Sequence, residues 1–363
     1  MKRRAVTAMA LKLQKPILSL TNNDYNENGL GDLLAEEGDA YEINLQVFYL
    51  LRDSITGWPG GKPGEVRPFH PERSVPFPKT CLVFSPHPDD DIISMGGTFM
   101  RLQDQDHNVH VAYQTSGNIA VTDEFVTRFL DFAIGFEELA GISNEKSKQI
   151  LHDAQQFIFS KKHKEDIDTP IIREVKGLIR RSEAKATAKY VGLKDEQIHF
   201  LNLPFYETGT IEKKPWGEED VKITMELLRK IKPQQVYCAG DLADPHGTHK
   251  VCLEVIFESM KRLKEAGDEW IKDCWVWLYK GAWQEWDVAE IEMAVPMSPD
   301  QVKKKRYGIF IHQSQKDSVP FQGSDTREFW QRAEERNANT ANLYAQLGLT
   351  QYAAMEAFVR WHY

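Results

Sequence analysis

The chain has little of what marks several classes of protein. Its 363 residues include only four cysteines, Cys81, Cys238, Cys252 and Cys274, and no two form a Cys-x-x-Cys pair. A disulfide scaffold and a cysteine zinc module are thereby excluded, and reduced core cysteines of a cytoplasmic protein are expected. No apolar run reaches the roughly 18 residues that span a bilayer, so no membrane partner is expected. Basic excess is also lacking: 45 Lys and Arg stand against 54 Asp and Glu, a net charge of -9. Nucleic acid, which needs a basic face, is therefore no expected partner. There is no internal repeat and no low-complexity tract. The charged start, Met1-Lys-Arg-Arg, leads into a short apolar stretch interrupted by Lys12 and Lys15, unlike a secretory signal. It reads as part of the fold or as the cut-out end of a longer chain.

What is present is ordinary for a globular protein: 41% apolar and 27% charged residues. Leu45, Phe48, Leu51 and Ile55 recur at helical spacing, predicting a helix over 39–55. The stretch from Gly57-Trp-Pro-Gly-Gly-Lys-Pro-Gly64 to Pro78 suits neither helix nor central strand and reads as a linker or surface strap. From Lys79 strands and helices alternate. Strands are expected at 81–85, 109–114, 198–203, 234–239, 274–279 and 291–295. Helices are expected at 91–103, where Gly96-Gly97 allows close approach to a sheet, and at 169–191, 217–231 and 247–266. A further helix carries Phe125, Phe129, Ala133, Phe136 and Ala140 on one side, and 141–168 reads as a polar insertion. From Thr326 the end reads as amphipathic helix broken near Gly348. The alternation implies an α/β fold with a mainly parallel sheet covered on both faces, plus helical N- and C-terminal extensions. The divisions are 1–78 as arm and strap, 79–320 as the main domain, and 321–363 as an extension packed on it.

Two segments carry chemistry. The strand Leu82-Val-Phe-Ser85 runs into Pro86-His87-Pro88-Asp89-Asp90-Asp91, and the strand ending at Ala239 is followed by Asp244-Pro-His246-Gly-Thr-His249. Open α/β folds place their chemistry at the carboxyl ends of strands. His87 and Asp90 stand three apart on a turn stiffened by Pro88; His246 and His249 stand three apart at a helix opening. Asp89 makes a fifth such group, and three of the five complete a catalytic metal's protein shell, which leaves a carboxylate and an imidazole for proton work. Each motif alone also has a plainer reading. Asp-Asp beside proline forms turns and helix caps, and His-x-x-His is often a pair of packing histidines.

At these residues the chain resembles the PIG-L/LmbE-type zinc N-deacetylases, over roughly 79–320. The resemblance implies a Rossmann-like three-layer sandwich and one Zn2+ held by His87, Asp90 and His249. It implies Asp89 as general base and His246 as the second histidine, assisting the transition state and leaving group. Arg180-Arg-Ser-Glu183 matches the family's Arg-x-x-Glu helix, making Arg180 a substrate-contacting candidate, and His312-Gln-Ser-Gln315 matches a late His-x-Ser-Gln element. Two departures stand out: Asp91 where many relatives have Glu, and Pro-His-Gly-Thr-His where many have His-Pro-Asp-His. More narrowly, with Asn23-Asp-Tyr-Asn-Glu-Asn-Gly29 and the Gly/Pro strap, the chain resembles the carboxyl-terminal deacetylase module fused behind a glucosamine-6-phosphate deaminase.

The expected activity is hydrolysis of the acetyl group of an N-acetylated amino sugar, N-acetylglucosamine or its 6-phosphate type, with zinc or another divalent transition metal. The alternatives are an amidase for a larger acyl or thiol-sugar conjugate, and a non-catalytic metal-bearing module associated with a deaminase. Asn118 and Tyr206 are candidate cleft residues, Asn118 for substrate binding, with loops 115–125, 141–168 and 204–216 setting substrate choice. Expected partners are the small-molecule sugar and either a second copy or a fused or associated glucosamine-6-phosphate deaminase.

Overall fold

The computed structural model describes all residues except 65–69, 163–165, 209, 211–212, 241–246, 283, 317–325 and 363. Four helices come first: α1 (Lys2–Leu13), α2 (Asn22–Glu27), α3 (Gly31–Glu37) and α4 (Ala40–Ser54). The alternating part then runs β1 (Thr80–Ser85), α5 (Asp90–Asp104), β2 (Asn108–Tyr113), α6 (Asp123–Leu139), α7 (Glu145–Gln156), α8 (Pro170–Val191) and β3 (Ile198–Phe200). It continues through α9 (Glu218–Ile231), β4 (Gln235–Ala239), α10 (Thr248–Glu265) and β5 (Trp275–Tyr279). The chain closes with β6 (Met293–Met297), α11 (Pro299–Phe310), α12 (Phe329–Gln346) and β7 (Ala354–Trp361).

The strands form one seven-stranded sheet in the order β3-β2-β1-β4-β5-β7-β6. From β3 to β5 all pairings are parallel, and β7 lies antiparallel between β5 and β6. The α/β layering expected from the sequence is present. Alternation along β1 shows why helices must cover both sides. Cys81 and Val83 pack with α5, α8, α11 and α12, whereas Leu82 and Phe84 pack with α9 and α10. The amino-terminal helices complete that second face beyond β5. Val6, Ile43, Val47 and Leu51 share a core with Ala294 of β6, Met355 and Ala357 of β7, and Tyr344 of α12.

Two segments differ from the sequence reading, and a third follows one of its two alternatives. The last strand, β7, was expected as helix; Ala-Met-Glu-Ala-Phe-Val-Arg-Trp alternates between the two faces and supplies a central position in the mixed half of the sheet. The 141–168 stretch holds α7, whose Ala154 packs with Val126 and Ile172. The Gly/Pro strap is no free linker. Arg73, 1% exposed, donates to the carbonyls of Asp53 and Ser54, and Lys79 holds the carbonyls of Ser74 and Pro76. Gly60 lies so close to His107 that an added Cβ would meet its ring at 2.2 Å. The described strap residues lie against the amino ends of β1, β2 and β4, through Lys79, His107 and Gln235.

A buried ion pair joins Glu356 of β7 to Lys305 of α11, and the same carboxylate is hydrogen-bonded to α5, the first helix of the alternating part. Helix α5 breaks its regular backbone at Met95, φ -136° and ψ 26°. The freed N–H groups of Gly97 and Thr98 donate to Glu356 of β7 at 2.9 and 2.6 Å. The Thr98 hydroxyl and Lys305 donate to the same carboxylate at 2.7 Å each. Burial would raise the Glu356 carboxyl, but the Lys305 charge and these bonds hold it below its ordinary value. Removing one partner strands a charge in the core, so Glu356→Ala should lower unfolding free energy by about 3–5 kcal/mol in urea titration; a loss under about 1 kcal/mol would contradict this. Because the folded value is depressed, the contribution is fully present above the unfolded carboxyl's pKa of about 4.3. It should fade as pH falls through the folded value.

Candidate metal centre and its surroundings

The parallel register Cys81↔Gln235, Leu82↔Val236, Val83↔Tyr237 sets the carboxyl ends of β1 and β4 side by side. Strand order turns back here, since β2 and β3 lie on one side of β1 and β4 and β5 on the other, and such a switch point opens a crevice. The turn after β1 is fastened from both flanks. Ser85 Oγ donates to the His87 carbonyl at 2.5 Å. Thr115, after β2, donates to the Pro86 carbonyl through its hydroxyl at 2.7 Å and its N–H at 3.1 Å. Gln114 reaches across to the Cys252 carbonyl at 3.1 Å, fixing the first turns of α10 against β2.

His87, Asp90 and His249 converge. His87 Nδ1 lies 3.1 Å from Asp90 Oδ2, His249 Nε2 lies 3.2 Å from that oxygen, and the two ring nitrogens are 3.3 Å apart. Tetrahedral ligand atoms at about 2.0–2.1 Å from a metal stand about 3.3 Å from one another. The three edges therefore fit a divalent ion with one further position. The donor set, two imidazoles and a carboxylate, suits zinc and its neighbours. Tyr206 packs edge-on against the His87 ring at 6.0 Å and is itself buried, a wall of the site. His246 lies outside the described residues.

Three consecutive aspartates have three environments. Asp89 occupies the residue before α5 yet makes no side-chain cap, which removes the plainer reading of this residue. Its Oδ1 instead accepts from Arg180 Nη2 at 2.9 Å, with both side chains buried. Burial pushes the Asp89 carboxyl up, with the Arg180 guanidinium opposing and Asp90 adding to the rise. For Asp90 burial acts the same way, but the charges and hydrogen bonds of His249 and His87 hold it well below the usual carboxylate range. Asp91 is sealed under the turn, accepting from Ser85 Oγ at 3.2 Å and Tyr113 OH at 3.1 Å. Burial carries its carboxyl up to about 7. The sequence reading missed this role; the signal was the Ser85 and Tyr113 that end two adjacent strands.

The remaining candidates surround this centre. Arg180 is 1% exposed and is placed against Asp89. Glu183, one turn on, accepts from the Ser314 N–H and hydroxyl at 2.8 and 2.6 Å. The Arg-x-x-Glu helix and the His-x-Ser-Gln element are thus one assembly. His312 is buried, bonded through Nε2 to Thr187 at 2.9 Å, and faces with Asp89, Ile93 and Trp330 a small cavity beside the aspartate. Burial lowers its imidazole to about 3, so it is neutral. Asn118 Nδ2 reaches Glu207 at 3.3 Å while its buried Oδ1 has no hydrogen-bond partner among the described residues. Glu207, which the sequence reading did not single out, also binds the Ser116 N–H and hydroxyl at 2.9 Å each, joining the loops after β2 and β3.

Residues 82–260 match the family described as PIG-L, GlcNAc-PI de-N-acetylase. A Bacteroides thetaiotaomicron protein named as glucosamine-6-phosphate deaminase-like is 53% identical over 364 aligned positions, covering 99% of this chain and 54% of that protein. The chain thus spans about half the length of the curated relative it matches. Two solved structures are similar at a TM-score of 0.48, each covering 78% of this chain. One is the N,N'-diacetylchitobiose deacetylase of Pyrococcus horikoshii with an inhibitor, at 21% identity and 84% of its own length. The other is the 4-carboxy-2-hydroxymuconate hydratase of Pseudomonas putida, at 15% identity and 97% of its own length.

Elemental analysis of the purified chain should find one divalent transition metal per chain, and His249→Ala should lose it while keeping its far-ultraviolet circular dichroism. Full occupancy in that variant would remove His249 from the ligand set.

Proposed function

We propose, for a chain whose residues 82–260 match the GlcNAc-PI de-N-acetylase (PIG-L) family, metal-dependent hydrolysis of the acetyl group of an N-acetylated amino sugar, giving acetate and a free amine. One observation carries the reading. Two imidazole nitrogens and a carboxylate oxygen form a triangle of metal-ligand size, beside a buried aspartate engaged neither as ligand nor as helix cap. The His87, Asp90 and His249 atoms would hold the ion. A divalent metal there supplies Lewis acidity, which at such sites brings the pKa of water to about 7.

The chain's own residues supply the rest. Asp89, next in sequence to a ligand, takes the proton of the attacking water. Burial makes its carboxyl a better proton acceptor than an exposed aspartate, and Arg180 opposes that rise and aims the group. A group that has taken the proton can return it to the departing amine nitrogen. His246, assigned from its sequence position, stabilises the developing oxyanion. Asn118 offers its Oδ1, which has no partner among the described residues, to a substrate N–H or hydroxyl. Arg180, being buried against Asp89, acts on the substrate through that aspartate.

The amino-sugar assignment is supported by the name of the half-length-matched relative. A glucosamine-6-phosphate deaminase consumes a sugar with a free amine, and removal of an acetyl group produces one. Zinc is the metal of choice for this donor set.

Acetate release from N-acetylglucosamine and from its 6-phosphate tests the reading. Asp89→Asn should keep the metal and lose about 10²–10⁴-fold in kcat. Arg180→Met should keep the metal and move the acidic limb of kcat/KM to higher pH, because Asp89 loses the cation that opposes its upward shift. Asp89→Asn turnover equal to the parent's, or a metal-loaded parent inactive on every N-acetylated sugar, would overturn it.

A further inference from the structure

Helix α6 has two apolar sides, and among the described residues only one is packed into a core. Val126 is buried against Ala154 of α7 and Ile172 of α8, with Leu130 and Val175 packed beside them. On the other side Phe125, Phe129, Phe132, Phe136 and Leu139 follow one another at spacings of four, three, four and three residues. That is the repeat of a helix–helix seam. Phe132, Phe136 and Leu139 are 70%, 55% and 86% exposed, and Ile142 just beyond is 63% exposed. Single exposed apolar side chains are commonplace, but a contiguous seam of them marks an interaction site.

We infer that this seam pairs with the same seam of a second copy of the chain. Its geometry asks for a helix bearing the same repeat. With aromatic side chains of about 150–250 Å2 each, the seam offers on the order of 500 Å2 of apolar surface. A stable dimer buries about 800 Å2 per partner, of which about 65% is apolar in homodimers, so the seam suffices for one such interface. The helix is fastened at its first residue. At its start Asp123 binds Lys162 and Lys176 at 2.7 Å each, and Asp168 binds the same two amines at 2.7 and 2.8 Å. A lipid surface suits it poorly. Between 123 and 148 six acidic residues outnumber three basic ones, whereas helices that lie on membranes are rich in Lys and Arg. The acidic flanks of two copies repel each other, so salt should tighten the pairing.

The intact chain can be tested by light scattering after size exclusion over a hundredfold dilution series at low and high salt. The expected mass is twice the 41.8 kDa of the chain, with dissociation on dilution suppressed by salt. The double variant Phe132→Glu/Phe136→Glu should run at the single-chain mass with unchanged circular dichroism. Because those changes could disturb folding, Phe136→Cys gives a second arm. All four native cysteines are buried, so mild oxidation should cross-link that variant into a covalent dimer. A parent of single-chain mass throughout, a dimer unaffected by the double variant, or a cysteine variant that does not cross-link would overturn the inference. Flotation of a monomeric parent with phosphatidylcholine–phosphatidylglycerol vesicles would likewise overturn it, in favour of a membrane surface.

Discussion

The lateral pairing of β1 with β4 is the constraint on which the rest of the structure depends. Three register pairs, beginning at Cys81↔Gln235, bring together turns separated by about 160 positions in the chain. The turn after β1 delivers an imidazole and a row of carboxylates, and the helix after β4 delivers a second imidazole. Parallel strands need crossover connections, so the chain between them is free to build α8 and the loop after β3, which close the site's other sides. A hydrophobic sheet is what allows polar ligand atoms to meet within 3.3 Å.

Neighbouring aspartates in one turn show how environment divides labour. Asp90 is claimed by two histidines, Asp89 by a guanidinium and Asp91 by two hydroxyls. A buried carboxylate is costly unless matched, and each is matched differently. The result is one ligand, one group disposed toward protons, and one that fastens the turn to the sheet. The arrangement reaches outward through Arg180 to Glu183 and Ser314, so that the late His-x-Ser-Gln element braces the helix that aims Asp89.

Much of this was legible from residues alone. Strand-length apolar runs alternating with helical periodicity announced a covered parallel sheet, and a polar motif after each of two buried runs announced the centre. Gly96 and Gly97 announced a close approach of α5 to the sheet: Gly97 does lie against Met297 of β6, whereas Gly96 faces Lys305 of α11. Long-range polar matches were not legible. Nothing local in Ala-Met-Glu-Ala-Phe marks a strand between β5 and β6, because Glu356 reads as a solvent-facing residue until Lys305 and the broken turn of α5 are known. Glu207 and Asp91 were hidden for the same reason: Glu207 binds Ser116 and Asn118 in the loop after β2, and Asp91 binds Ser85 and Tyr113 at the ends of β1 and β2. The Gly/Pro segment could be read only as linker or strap because proline and glycine signal turns, and the packing of Arg73 and His107 shows the turns to be fastened down.

The central claim is that His87, Asp90 and His249 form a common shell for one divalent ion while Asp89 stays outside it. X-ray absorption spectroscopy of the metal-loaded chain tests it most directly. The account predicts two imidazoles and nitrogen or oxygen scatterers at about 2.0–2.1 Å, with the spectrum unchanged in Asp89→Asn. A shell lacking imidazole, or one that changes when Asp89 is replaced, would contradict it.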